Sequence, residues 1–388
     1  MNFEHTHERR LLAESMSRYV AERYGEPAQR LVPRAASGFD PVHWQALAEI
    51  GAVGALFGPD DGGLGGSAFD LVAVFEAIGR GLVCEPFLAS LMAGRALSHA
   101  GDEMHAPLRA GIAEGAVLAS LAHCERGGQW DPLQVECRAR READGWVLDG
   151  LKVGVPWGGE AQVLLVSART AGAPGDRSGL SLFAVPVPTA GLMLRGHPDF
   201  DGGRSADAAL CSVALPGRAL VGREGEAAAA LEAGIGCGIL AVCAEAVGAM
   251  DVMLASTLDY LKMRSQFGVP IGSFQAVQHR MVDLMLQLEQ ARSATVNAAV
   301  HLETAGRLRE RQLSAAKFTV GTAAQAFAEE CIQLHGGIGM TWELSLAHHA
   351  KRLGLLNLQL GDEDFHLARY AAAMDPAPPA SAHAEVRL

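Results

Sequence analysis

Residues 138–155 read RARREADGWVLDGLKVGV, a series of short alternating or apolar segments broken at Asp144-Gly145 and Asp149-Gly150. Apolar alternation with a period of two marks a half-buried strand, and Asp-Gly pairs are turn formers. The flanking sequence has the same texture. AVLASLAH (116–123), QVLLVSART (162–170), GLSLFAVPVP (179–188) and AALCSVALP (208–216) are short runs separated by Gly, Asp and Pro. The intervals leave no room for several crossover helices, so residues 116–225 are expected to form an antiparallel sheet, a small barrel or sandwich.

Moving outward, the period changes on both sides. Residues 1–115 read as helical: Met16 and Val20 follow Leu11 and Leu12, and Trp44, Leu47 and Ile50 repeat the three-and-four spacing. Between two of these helices lies GPDDGGLGGSAFD (58–70), in which Ser67 or Asp70 starts the next helix. It lacks the G-x-x-x-x-G-K-S/T spacing of a phosphate loop and is read as a connection. Residues 226–375 carry stronger helical stripes, Val247, Met250, Leu254, Leu258 and Leu261, then Leu313, Ala316, Val320, Ala324, Phe327, Cys331 and Leu334. Four long helices with short connections make a four-helix bundle, and apolar positions on several faces predict burial by neighbouring subunits. The Pro/Ala-rich end, 376–388, is expected to be disordered.

The 388 residues predict two or three domains. Lys and Arg number 32 against 44 Asp and Glu, a formal charge of −12 with no basic block, which removes general nucleic-acid binding. Seven cysteines form no C-x-x-C and no zinc-spaced cluster, so a reduced compartment and no metal are expected. The polar N-terminus and the lack of an uninterrupted apolar run of about 18 residues predict a cytoplasmic chain that does not span a membrane.

Two segments of the helical C-terminal part carry candidate chemistry. RSQFGVPIGSFQAVQHRMVD (264–283) puts Arg264 at a helix end, where a cation is favoured by the macrodipole in any case. QLHGGIGMTWE (333–343) ends a long helix in three glycines, Gly336, Gly337 and Gly339. A helix terminus needs one glycine. The excess lets the backbone approach another molecule closely.

With WQALAEIGAVG, PDDGGLGG, EAIGRGL and DGWVLDGLK, these motifs make the chain resemble the acyl-CoA dehydrogenase family over nearly its whole length. AEAVGAMD, YLKMRSQFGVPIGSFQ and QLHGGIGMT are most similar to the small-subunit type of the pimeloyl-CoA branch. The resemblance implies an α+β, acyl-CoA dehydrogenase-like fold of helical, β and helical parts, with FAD as cofactor, an acyl-CoA substrate and a dimeric or tetrameric assembly. It implies that the two motifs reach across a subunit interface to the ADP end of FAD. Arg264 would supply a forked cation for phosphate, Gln266 a second donor, and Phe267 and Phe274 apolar surface. Gln333, Gly336 and Gly337 would give backbone approach to the nucleotide.

Elsewhere the chain departs from the family. Cys124 stands where a flavin-binding Thr is expected. Gly154 and Pro156 occupy the Trp and Thr positions of a second flavin-ring segment, with Trp157 one residue beyond. The reaction also needs a carboxylate to take the α-proton of the thioester. One family position for that base is Leu360 and the other is Gly238, and neither residue accepts a proton. Asp362, Glu363 and Asp364 follow the first position, and Glu245 lies two turns from the second. Glu343 is read as a helix cap. His348 and His349, near Lys351 and Arg352, are read as a surface or CoA-facing basic spot, and His279 as a nucleotide, interface or plain helix-surface residue.

Two readings remain open. In one, the chain is the base-less subunit of a heterotetramer and completes the FAD site of a homologous acyl-CoA dehydrogenase subunit. In the other, it self-associates as a self-sufficient enzyme with a displaced base, Asp362 or Glu363. A flavin monooxygenase and a non-redox scaffold on the same fold are further alternatives.

Overall fold

The structure, a computed structural model, describes residues 6–24, 38–128, 130–304 and 306–374. The expected disordered tail, 376–388, lies outside the described residues. The N-terminal part contains α1 (His7–Arg23), α2 (Pro41–Glu49), α3 (Ala68–Gly81), α4 (Phe87–Ala100) and α5 (Ala106–Ala113). Ser67 starts α3 through a capping box in which the Asp70 amide donates to the Ser67 hydroxyl and the Asp70 carboxylate accepts from the Ser67 amide. The glycine-rich stretch before it is a connection, tightened at Gly63, where a Cβ would sit 2.1 Å from the Phe57 carbonyl oxygen.

The middle part is one eight-stranded sheet: β1 (Ala119–Ala122), β2 (Arg138–Glu142), β3 (Gly145–Pro156), β4 (Val163–Arg169), β5 (Leu180–Pro186), β6 (Leu192–Pro198), β7 (Arg204–Pro216) and β8 (Leu220–Val221). The order is β6-β7-β3-β2-β4-β5-β8, with β1 on β4. The expectation of a wholly antiparallel sheet needs correction, because β1 pairs β4 in parallel from Ala119↔Val163 to Ala122↔Val166. Short intervals exclude helical crossovers, but here the β2–β3 hairpin itself returns the chain to the end where β1 began. Asp149-Gly150 is not a turn either. It is a register shift inside β3, where Gly150 passes so close to Cys137 that a Cβ would meet its Sγ at 2.8 Å.

The C-terminal part holds α6 (Ala228–Met263), a small hairpin of β9 (Ser265–Gln266) and β10 (Val269–Pro270), α7 (Gln275–His301), α8 (Arg307–His335), α9 (Ser345–Leu358) and α10 (Glu363–Met374). The expected four long helices are three long and two short. Every residue of the Leu313–Leu334 stripe is buried. Length and composition would let α6 cross a membrane, but 83% of its most apolar window is buried inside the protein, as suits a core helix. On α7, Val282, Met285 and Leu286 are exposed.

Candidate functional site

Arg264 is the C-terminal cap of α6, and its backbone carbonyl is held by the Ile271 amide at 2.8 Å. The β9–β10 turn that follows places Phe267 at φ 55° and Gly268 at φ 82°. Phe267 is 92% exposed and meets Phe274 edge-on at 6.3 Å. The side chains of Arg264 and Gln266 are exposed and form no hydrogen bond or ion pair among the described residues. Gln333, Gly336 and Gly337 are exposed at the end of α8, with Gly336 at φ 66° and open space over both glycines. The two motifs are joined within the chain. Tyr260, one turn before Arg264, stacks on His335 at 4.5 Å and donates its hydroxyl to the His335 carbonyl at 3.2 Å. A forked cation, an amide and an open glycine elbow facing away from the protein suit the diphosphate of a dinucleotide.

A second site lies between the sheet and the helices. A cavity of 270 Å³ is walled by α4, α6 and the end of α9, and by the strand ends that carry Cys124, Gly154 and Pro156. Those residues therefore share one wall, as the sequence comparison with the flavin-ring segments implied. Trp157 is not on this wall. It lines a smaller adjoining chamber and packs edge-on against Phe39.

The two blank base positions also meet. A Cβ at Gly238 would sit 2.8 Å from Leu360 Cδ1 and 2.9 Å from Met92 Sδ, so Leu360 occupies the space a carboxylate on either element would use. The loop that presents Leu360 is firmly held. Leu360 has φ 60°, a conformation costly for a β-carbon residue. Buried Lys317 donates to Asn357 O at 2.8 Å and Gly361 O at 2.7 Å, and His366 Nε2 bonds Leu360 O at 2.9 Å. Burial pushes the His366 pKa down to about 3, which keeps the ring neutral.

The other candidates have different employment. Asp362 caps α10, accepting from the Phe365 amide at 2.9 Å, and Glu363 accepts from Asn357 Nδ2 at 2.8 Å. Neither lines the cavity, nor does the exposed Asp364. Glu245 is 2% exposed and holds Arg352 at 2.5 and 2.8 Å, while Asp201 takes the same guanidinium at 2.5 Å. This triad ties α6, α9 and the β6–β7 loop together. Arg352 belongs to it and not to any surface patch. His348 and His349 also require correction: they are buried, His348 Nε2 lying 2.9 Å from the Trp342 carbonyl and the His349 ring between the carbonyls of Ser345 and Arg80. Lys351 is half-buried, its ammonium 3.8 Å from the Trp342 ring centroid. Glu343 is exposed and makes no cap, and His279 lies exposed on α7.

Sequence reasoning overlooked Asp199, the one carboxylate on the cavity wall among the described residues. It sits in the turn-rich HPDFDGGRS segment, where no periodicity singles it out. Both of its oxygens accept from Ser205 Oγ, at 3.0 and 2.9 Å. Burial raises its pKa, with neighbouring Asp201 adding to the effect. Desolvation also raises the Cys124 thiol, although the residue is exposed at the cavity mouth, and burial pushes the His123 pKa down to about 3. Each shift favours the uncharged form of a group on this wall.

Family models bear on both outer parts of the chain. "Acyl-CoA dehydrogenase, N-terminal domain" matches residues 6–105 and "Acyl-CoA dehydrogenase, C-terminal domain" matches residues 228–374. The chain belongs to the acyl-CoA dehydrogenase family, FAD-dependent oxidoreductases. Acyl-CoA dehydrogenase IpdE2 of Mycobacterium tuberculosis is 30% identical over 89% of this chain and 90% of its own. Among solved structures, the Tcur3481–Tcur3483 steroid ACAD is 26% identical, with a TM-score of 0.83, covering 94% of this chain and 97% of that one. The ChsE4–ChsE5 complex of Mycobacterium tuberculosis shares the fold, with a TM-score of 0.86 over 97% of this chain and 100% of that one at 24% identity.

Proposed function

We propose that this chain is the base-less subunit of a mixed oligomer, of the pimeloyl-CoA small-subunit type, that completes the FAD site of a homologous acyl-CoA dehydrogenase subunit in the cytoplasm. The observation that carries the proposal is the packing of Leu360 against Gly238. Both positions from which the family draws its base are apolar and fill each other's space. Arg264 and Gln266, exposed and without a partner among the described residues, and the open Gly336–Gly337 elbow support donation of the nucleotide grip to a neighbour. Two of the structural relatives named above are likewise pairs of different chains.

In this arrangement Arg264 and Gln266 hold phosphate oxygens, Gln333 and the glycine elbow approach the ADP portion, and Phe267 and Phe274 shield it. FAD, when bound, accepts the hydride that leaves Cβ of the acyl thioester. The carboxylate that takes the α-proton comes from the partner. The exposed Val282, Met285 and Leu286 on α7 give the bundle an apolar face for subunit contact. Co-expression with a homologous dehydrogenase encoded beside it, followed by native mass spectrometry, tests the assembly. A mixed oligomer with bound flavin is expected, and homo-oligomers alone would contradict the proposal.

A self-sufficient enzyme with a displaced base is favoured by one observation, the position of Asp199 on the cavity wall with a raised pKa. Asp362 and Glu363 do not serve that reading, because their carboxylates are engaged at the start of α10.

A further inference from the structure

Behind the cavity wall, three polar residues from neighbouring strands are packed together. His123, just after β1, is 7% exposed, and Lys152 of β3 and Ser167 of β4 are wholly buried. The Lys152 ammonium has three protons and three acceptors: Glu125 Oε1 at 2.5 Å, Ser167 Oγ at 2.9 Å and the His123 carbonyl at 3.2 Å. It is therefore fully spent inside the protein. Ser167 Oγ accepts from that ammonium, so its own proton has one remaining acceptor within reach, His123 Nδ1 at 3.0 Å. The opposite assignment would leave a buried hydroxyl proton without a partner, at the cost of desolvating it for nothing.

The relay fixes the tautomer. With Nδ1 accepting, a neutral His123 carries its proton on Nε2, and that nitrogen has no partner among the described residues. His123 lines both the 270 Å³ cavity and an adjoining cleft of 330 Å³, which share Cys124, Trp130 and Val153. Protonation of the ring is opposed by burial and by the Lys152 charge, so the donor is retained across the physiological range. The charged and titratable groups near His123 are Lys152 with its partner Glu125, Cys124, and Asp199 on the same cavity wall, whose raised pKa favours the neutral acid.

We propose that His123 donates its Nε2–H to a carbonyl oxygen of a neutral, mostly apolar ligand held in this chain's own cavity. Apolar residues such as Leu121, Met92 and Ile235 line the pocket, and no lysine or arginine is among its described lining residues, which favours a neutral acceptor over an anionic one. Two sources offer such an oxygen, an acyl thioester and the carbonyl edge of an isoalloxazine ring. The proposal goes beyond the mixed-oligomer reading, since it concerns the cavity that carries no base.

The test uses the full-length chain, titrated with octanoyl-CoA in one arm and with FAD in the other, as wild type, His123→Ala and His123→Gln. The expected result is that one probe binds, binds about threefold to tenfold more weakly to His123→Ala, and recovers with His123→Gln, which restores a side-chain donor. Binding of FAD alone would identify the flavin as the source and would count against the mixed-oligomer reading while leaving the role of His123 intact. Equal affinity of all three proteins for both probes, or binding of neither, would overturn the proposal. Nitrogen-15 histidine spectra of the wild type give a check that needs no stable variant. An Nε2–H ring that does not titrate between pH 5 and 8 is expected, and an Nδ1–H ring or one that titrates near 6.5 would refute the relay.

Discussion

Replacing Arg264 with alanine separates a nucleotide grip from an ordinary helix end. The guanidinium is exposed and unpaired among the described residues, so Arg264→Ala removes no contact described there, and its effect on folding should stay within about 0.5 kcal/mol. Bound to FAD, the same group would give a charge-assisted hydrogen bond to a phosphate oxygen worth about 1.5–3 kcal/mol. That corresponds to a loss of about tenfold to 150-fold in affinity. The assay is flavin retention in the co-purified complex, read as the flavin-to-protein ratio and as the dissociation constant from recovery of flavin fluorescence. Unfolding should be followed in parallel. A variant that melts with the wild type and retains flavin undiminished would refute the reasoning.

Asp362→Asn should leave both turnover and stability nearly unchanged, because asparagine caps a helix about as well as aspartate; a rate loss of about 10²-fold or more in steady-state assays would make Asp362 a base after all. Glu245→Gln breaks the buried Arg352 triad and should cost about 3–5 kcal/mol in urea unfolding, where a loss below about 1 kcal/mol would deny the triad its structural role. Phe327→Ala, at a wholly buried position on α8, should cost about 3–5 kcal/mol in the same measurement. His123 and His366 have folded pKa values near 3 against an ordinary 6.5, so the unfolded state binds more protons between these limits. Their contribution to stability is complete above about pH 6.5 and is lost as pH falls toward 3, at about 1.4 kcal/mol per pH unit per proton. His366→Gln should lower the slope measured between pH 6 and 4 by about one proton, and an unchanged slope would contradict the assignment.

The helical stripes and the capping signal at Ser67 were legible because 3.6-residue periodicity and N-cap chemistry are local. The Leu313–Leu334 stripe is buried at every position for that reason. The parallel β1–β4 pairing was not legible, since it depends on how a hairpin returns the chain, a property of two distant segments. Asp149-Gly150 misled because the residues that suit a turn also suit a bulge. At the site, Arg264, Gln266 and the glycine elbow stood out by motif. The meeting of Leu360 with Gly238 joins residues 122 positions apart and required the packing of α6 against the loop after α9. His348 and His349 looked like a surface spot because they neighbour Lys351 and Arg352. Helix rotation instead turns both rings inward. Asp199 and the Lys152–Ser167–His123 relay had no linear signal, because their partners come from separate strands and loops.

The most direct measurement purifies the chain alone and again with a homologous subunit of the kind proposed, then compares the flavin bound and the acyl-CoA oxidised in each. A nearly colourless, inactive lone chain and a yellow, active complex are predicted. Stoichiometric FAD and turnover in the lone chain would show that its own cavity performs the reaction.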